Sequence, residues 1–220
     1  AKGVLAEEMG LGKTLEILAL ICINKRKYKA DEPLDFVSES GKVISKCSTT
    51  LIVCPGSILK QWIDEMQSTH PAIKIYHYGG FIAVKKEFAC DNINTIVQKL
   101  SQYDIVITSY NVVSNEVHYA QFNNAFRQNR RRHVQYDYSS PLSLMQFYRI
   151  ILDELQMLHS GSTKAAICTS LLHRVHTWGV SGTPIQKVRD FQTILSYLKI
   201  HPFSEFPELI KNLDNASVGL

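Results

Sequence analysis

Short apolar runs that break off at glycine, hydroxyl or acidic residues recur along this chain, with helical patterns between them. Val4-Leu5-Ala6, Thr50 to Cys54, Ile105-Val106-Ile107, Phe147 to Leu152 and Thr177 to Val180 have the length and character of strands buried on both faces, and Ile73 to Tyr78 alternates as a strand. Helices are expected from Lys13 to Lys27, Ile58 to Gln67, Thr95 to Ser101, Thr163 to Leu172 and Asp190 to Leu198. Ser57 is placed to cap the second helix, whose Ile58, Leu59, Trp62, Ile63 and Met66 share one face. The first helix should end on the basic cluster Lys25 to Lys27. Such alternation predicts an α/β fold, a mostly parallel sheet with helices on both faces. Ligands of such a sheet bind beyond the carboxyl ends of its strands.

Those ends carry the residues of interest. Glu7-Glu8-Met9-Gly10-Leu11-Gly12-Lys13-Thr14 follows a strand and opens a helix, the setting of a phosphate-binding loop. Gly10 and Gly12 allow the backbone to curl several N–H groups toward one anion, and the helix N-terminus adds partial positive charge. Lys13 suits the β- and γ-phosphates of ATP, and Thr14 suits Mg²⁺. Glu7 stands where the general phosphate-loop pattern has its first glycine. Asp153-Glu154 closes the run Arg149 to Leu152; Asp153 is placed to hold the metal and Glu154 to polarise the attacking water. Ser181-Gly182-Thr183, after the strand Thr177 to Val180, can hydrogen-bond the acidic pair and relay nucleotide state. Taken singly, these are also an ordinary glycine-rich helix start, a helix N-terminus and a strand-to-helix turn. Their convergence at strand ends argues for one active surface.

Composition narrows the classes. The 220 residues are 45% hydrophobic and 20% charged, enough to bury a core, and no apolar run reaches the roughly 18 residues that cross a bilayer. No secretory signal opens the chain; it begins at Ala1, a few residues before its best motif, which is the pattern expected of a piece of something longer. Five cysteines form no CxxC pair, so neither a disulfide framework nor a zinc site is suggested. A net charge of +4 is compatible with nucleic acid without arguing for it.

In this order the motifs resemble the Swi/Snf-type branch of the superfamily-two helicase-like ATPases. Leu5 to Thr14 is similar to motif I of that branch, which lacks the first glycine; Leu51 to Trp62 resembles motif Ia; Asp104 to Tyr110 resembles the motif Ib region; Asp153-Glu154-Leu155-Gln156 resembles motif II; and Ser181 to Gln186 resembles motif III. Gln156 stands where most relatives carry His, and with Ser162 to Ala166 and Trp178 to Pro184 this looks most like the SHPRH-type members, nuclear proteins that join such a motor to a RING ubiquitin-ligase module. The resemblance implies the first of two RecA-like P-loop lobes over residues 1–203, with surface insertions at about 28–49 and 115–144, and with 204–220 starting a helical protrusion or linker. It implies ATP and Mg²⁺ as cofactors, catalytic roles for Lys13, Glu154 and Gln156, and ATP contacts from Glu7 to Thr14.

It further implies a second lobe that supplies an arginine finger, weak or no hydrolysis by this segment alone, ubiquitin-conjugating partners through domains outside the segment, and nuclear work in chromatin or DNA repair. Pro55-Gly56-Ser57 and Thr108-Ser109-Tyr110 would touch the phosphates of one DNA strand, with Lys60 adding charge. The run Arg127 to His133 in the second insertion suits DNA contact, nuclear import or a solvated loop. The reading is a DNA-dependent ATPase and translocase on duplex DNA. A strand-separating helicase and a non-hydrolysing scaffold for ubiquitin-ligase assembly are the alternatives. An unrelated phosphate-loop kinase does not account for motifs Ia and III.

Overall fold

The computed structural model describes residues 1–8, 10–28, 32–38, 41–116, 140–158, 164–183, 194, 195 and 197–200. Among them lie eight strands: β1 (Lys2–Leu5), β2 (Asp35–Val37), β3 (Val43–Lys46), β4 (Thr50–Cys54), β5 (Ile75–His77), β6 (Ile105–Ser109), β7 (Met145–Asp153) and β8 (His173–Val180). The helices among them are α1 (Lys13–Ile23), α2 (Leu59–Thr69), α3 (Phe81–Phe88), α4 (Ile93–Leu100), α5 (Tyr110–Glu116) and α6 (Lys164–Leu171).

Six strands form a parallel sheet in the order β1-β8-β7-β4-β6-β5. Each apolar strand supplies both faces by alternation. Ile52, Cys54, Ile105, Ile107, Ile151 and Val180 pack with α1 and α2, while Leu51, Val53, Val106, Ile150 and Leu152 pack with α3, α4, α5 and α6. At about 25 cal/mol per Å² of apolar surface removed from water, these two layers supply the main drive to fold. The expected fold class is the one observed.

Several boundaries differ from expectation, each for a tertiary reason. The insertion at 28–49 is not structureless: Ser45 and Lys46 of β3 pair in parallel with Met145 and Gln146, and β2 pairs antiparallel with β3. β7 extends past the start of β4, and β3 takes the edge left open; within that strand Ile44 alone is buried, so no period was visible. α1 stops at Ile23 because the buried guanidinium of Arg149 donates to the carbonyl of Asn24, and Arg26 turns inward to Glu32, Gln146 and the Cys47 carbonyl instead of finishing the helix. α2 starts at Leu59 with Ile58 as its capping residue and no side-chain cap, so Ser57 does not play that part. α3 was not foreseen; the N–H of its first residue, Phe81, donates to Glu116 Oε1 at 2.8 Å, a cap supplied from α5. α4 begins at Ile93, with Asn92 Oδ1 accepting from the N–H groups of Asn94 and Thr95.

Most of the second insertion (117–139, including Arg127 to His133), the stretch 184–190 with Pro184, Ile185 and Gln186, and 204–220 lie outside the described residues, as does Met9. No described helix is long and apolar enough to cross a membrane.

Candidate active site

Because the central strands are parallel, their carboxyl ends share one edge of the sheet. Leu5 and Asp153 both pair with Val180, so β8 separates the strand that feeds the glycine loop from the strand that ends on the acidic pair. The N–H of Ser181 donates to the Leu5 carbonyl at 3.1 Å, tying the end of β8 to the start of the loop.

The crest of the loop is exposed, and Glu7, Gly12 and Lys13 are half-buried. Gly10 and Gly12 both sit at φ 87°, a left-handed conformation that costs glycine nothing and would strain other residues. Gly12 caps α1 and its carbonyl accepts from the N–H of Leu15 at 2.9 Å. Lys13 folds back, its Nζ donating to the carbonyls of Glu7 (2.9 Å) and Glu8 (2.7 Å). Thr14 lies half-buried in the first turn of α1, while Glu8, Gly10 and Leu11 are exposed.

The acidic end is buried. Asp153 is 6% exposed, and its Oδ2 accepts from Trp62 Nε1 at 2.7 Å while Oδ1 accepts from the N–H of Glu154 at 2.8 Å. Burial pushes the Asp153 carboxyl above the usual carboxylate range; the two N–H donors oppose this, the Glu154 charge adds to it and the Lys13 charge relieves it. Lys13 therefore lies close enough for its charge to act on Asp153. Tyr110 donates from Oη to the backbone carbonyl of Asp153 at 2.7 Å.

Glu154 takes φ 52°, unusual for a residue with a side chain. Its Oε2 accepts from Gln156 Nε2, and Gln156 Oε1 accepts from Ser181 Oγ at 2.6 Å. Ser181 is 1% exposed, and its Oγ also accepts from the N–H of Thr183 at 3.1 Å. A continuous path therefore runs from Glu154 through Gln156 and Ser181 to β1. Leu155 holds this geometry from beneath: a Cβ on Gly179 would lie 1.9 Å from Leu155 Cδ1, so only glycine admits the Leu155 side chain there.

The donor set suits a magnesium nucleotide. Among the described residues the Asp153 carboxylate meets N–H donors, which leaves it an acceptor for a cation, and the left-handed loop with Lys13 at a helix start suits phosphate.

The sequence-derived nucleic-acid residues divide. Gly56, Ser57 and Lys60 are exposed, Pro55 and Ser109 half-buried, and a Cβ on Gly56 would lie 3.9 Å from Ser109 Cβ, so the two loops adjoin. Thr108 is fully buried, its hydroxyl donating to the Tyr78 carbonyl at 2.8 Å, and Tyr110 is 4% exposed. Neither offers its side chain to a ligand, because both are spent inside the fold. Trp62, Leu155 and Gly179 carry no site role in the sequence; Trp62 lies on the apolar face of its helix and at the end of the motif Ia resemblance, and the polar atom on its indole is the available signal.

The SNF2-related domain model matches residues 1–217. An uncharacterized ATP-dependent helicase of Saccharomyces cerevisiae, IRC20, is 55% identical over 97% of this chain, and the DNA repair protein rad5 of Aspergillus fumigatus is 29% identical over 93%. The chain spans 14% and 16% of their lengths. A Sulfolobus solfataricus SWI2/SNF2 ATPase core solved in complex with dsDNA aligns with TM-score 0.57 at 23% identity, covering 94% of this chain and 33% of that one, a likeness of fold.

Proposed function

The chain belongs to the SNF2-related domain family, and on that premise we propose that it is the ATP-binding, first RecA-like lobe of a DNA-dependent ATPase that moves along duplex DNA or chromatin without separating strands. The observation that carries this reading is the path Glu154–Gln156–Ser181–Leu5, which links the acidic pair to the strand feeding the phosphate loop.

In this reading the loop N–H groups and Lys13 cradle the phosphates, releasing Lys13 from its two carbonyl partners, and Thr14 and Asp153 hold Mg²⁺. Bound Mg²⁺ neutralises phosphate charge. Glu154 orients the attacking water, and Gln156 keeps its carboxylate aimed while the other end of the amide reads Ser181. Gln156 cannot become cationic as a histidine would, so the link carries no proton. The relay continues through Ser181, Gly182 and Thr183. DNA phosphates are met by Pro55, Gly56, Ser57, Lys60 and Ser109, without Thr108 and Tyr110. Such backbone contacts carry no sequence information, as translocation requires. The solved relative held on dsDNA supports duplex as the substrate.

The rest of the protein supplies a second lobe with an arginine finger, and the SHPRH-like Gln156 favours a ubiquitin-ligase module there and a nuclear location. Residues 1–203 form the lobe, and 204–220 lead toward its partner.

The test is ATP hydrolysis by the full-length protein with double-stranded DNA, single-stranded DNA, RNA or nucleosomes, with Lys13→Ala as control. Stimulation by duplex DNA without strand displacement is expected. Displacement would favour the helicase alternative, and no stimulation by any nucleic acid would sink the motor reading.

A further inference from the structure

Asp153 is gripped from both faces of the sheet, and each grip comes from the element that follows one of the two adjoining exposed loops. On the face covered by α1 and α2, the helix after Pro55-Gly56-Ser57 sends Trp62 Nε1 to the Asp153 carboxylate at 2.7 Å. On the opposite face, the helix after Ser109 begins with Tyr110, whose hydroxyl reaches the Asp153 backbone carbonyl at 2.7 Å. Both side chains are nearly enclosed, Trp62 at 5% and Tyr110 at 4% exposure, so each bond is shielded from water and costly to leave unmade. The strand order places β4 between β7 and β6, which makes the geometry rigid: the ends of β4 and β6 are register partners at Cys54 and Ser109, and β4 pairs with β7 up to Leu152.

We propose that Trp62 and Tyr110 are positioning residues that transmit the placement of the Gly56–Ser57 and Ser109 loops to Asp153, so that contact with a nucleic-acid backbone sets the metal-holding carboxylate. The inference rests on the reading of this edge as a DNA-coupled ATP site. A loop shift moves the start of α2 or α5, and the indole and phenol ends carry that shift to the two sides of one residue. No pathway of looser contacts is needed, since each link is one side chain long. Trp62 acts on where the carboxylate points and Tyr110 on where the strand end sits. By thermodynamic reciprocity, the same two bonds let a bound nucleotide change the affinity for DNA.

That reciprocity gives a readout independent of turnover. In the full-length protein, DNA affinity is measured by fluorescence anisotropy of a labelled duplex, with and without a non-hydrolysable ATP analogue and Mg²⁺, in the parent, Trp62→Phe, Tyr110→Phe and Lys13→Ala. The parent should show a nucleotide-dependent change of roughly 5- to 150-fold, the usual range of allosteric coupling. Tyr110→Phe keeps the ring and removes one hydrogen-bond donor, and Trp62→Phe removes the indole N–H together with its five-membered ring while keeping an aromatic side chain in the core. Each should bring the change down by about fivefold or more, with nucleotide-free DNA affinity within about twofold of the parent. Variants that keep the parent's coupling overturn the proposal while leaving the function intact. Variants that lose nucleotide-free DNA binding also overturn it, because the bonds then hold the fold rather than relay a signal. A parent with no coupling, indistinguishable from Lys13→Ala, overturns the underlying functional reading instead.

Discussion

The glycine loop and the acidic strand end are two halves of one site, and both use left-handed backbone. In the loop it falls on Gly10 and Gly12, each at φ 87°, where it is free. At the acidic end it falls on Glu154 at φ 52°, where it stores strain. Glu8, Gly10 and Leu11 of the loop are exposed and Lys13 donates to the loop's own carbonyls, whereas Asp153 is enclosed and gripped by residues from α2 and α5. The phosphate-receiving half is thus built to adapt, and the metal-holding half to stay where the sheet puts it. Ala89 and Lys199 share that conformation outside the site, but within the site the strain falls on the residue whose carboxylate must be aimed.

That contrast can be broken by substitution. Lys13→Ala should lower DNA-stimulated hydrolysis by about 10²- to 10³-fold, as loss of a charge-stabilising group does, measured as kcat in the full-length protein. Glu154→Gly should lose hydrolysis to a similar degree yet make the protein more stable by about 0.5–1 kcal/mol, because glycine adopts the left-handed conformation without strain; urea denaturation checks the second half. Equal or lower stability would show that Glu154 is not strained. Gly10→Ala, by contrast, should only destabilise, although nothing crowds its Cβ position.

Gly179→Ala should cost about 1–3 kcal/mol by overpacking against Leu155. Pairing it with Leu155→Ala in a double-mutant cycle should give a penalty smaller than the sum. The smallest effect belongs to Gln156→His. Hydrolysis should survive with its coupling altered a few-fold, and activity should acquire a pH dependence near the ordinary imidazole range of about 6.5. Below that pH the imidazolium can still donate to Glu154 but can no longer accept from Ser181, so coupling falls as pH falls. Identical rates and pH profiles for parent and variant would remove the claim that Gln156 tunes the link.

The same contrast explains what was legible in the sequence. The loop was readable from Glu7 to Thr14 because glycine conformation, a helix start and a lysine are local properties. The acidic pair, Ser181 and the sheet that aligns them were readable because apolar strands end where the polar residues begin. The Trp62 and Tyr110 grips were not, since they span 91 and 43 positions and exist only because β4 lies between β7 and β6. The resemblance carries Thr108 and Tyr110 to DNA, and their place at a strand end does not reveal that both side chains are buried. The β2–β3 pair is hidden because Ile44 alone of its side chains is buried, and α3 because its cap comes from Glu116.

One magnesium–nucleotide site shared by loop and acidic end, each with its own duty, requires distinct losses when either half is changed. Binding of a fluorescent ATP analogue to the full-length protein, with and without Mg²⁺, tests this in Lys13→Ala and Asp153→Asn. Lys13→Ala should weaken binding under both conditions, and Asp153→Asn should remove only the part of the affinity that Mg²⁺ adds. Affinity that is unchanged by Mg²⁺ in the parent, or lost equally under both conditions in Asp153→Asn, would contradict it.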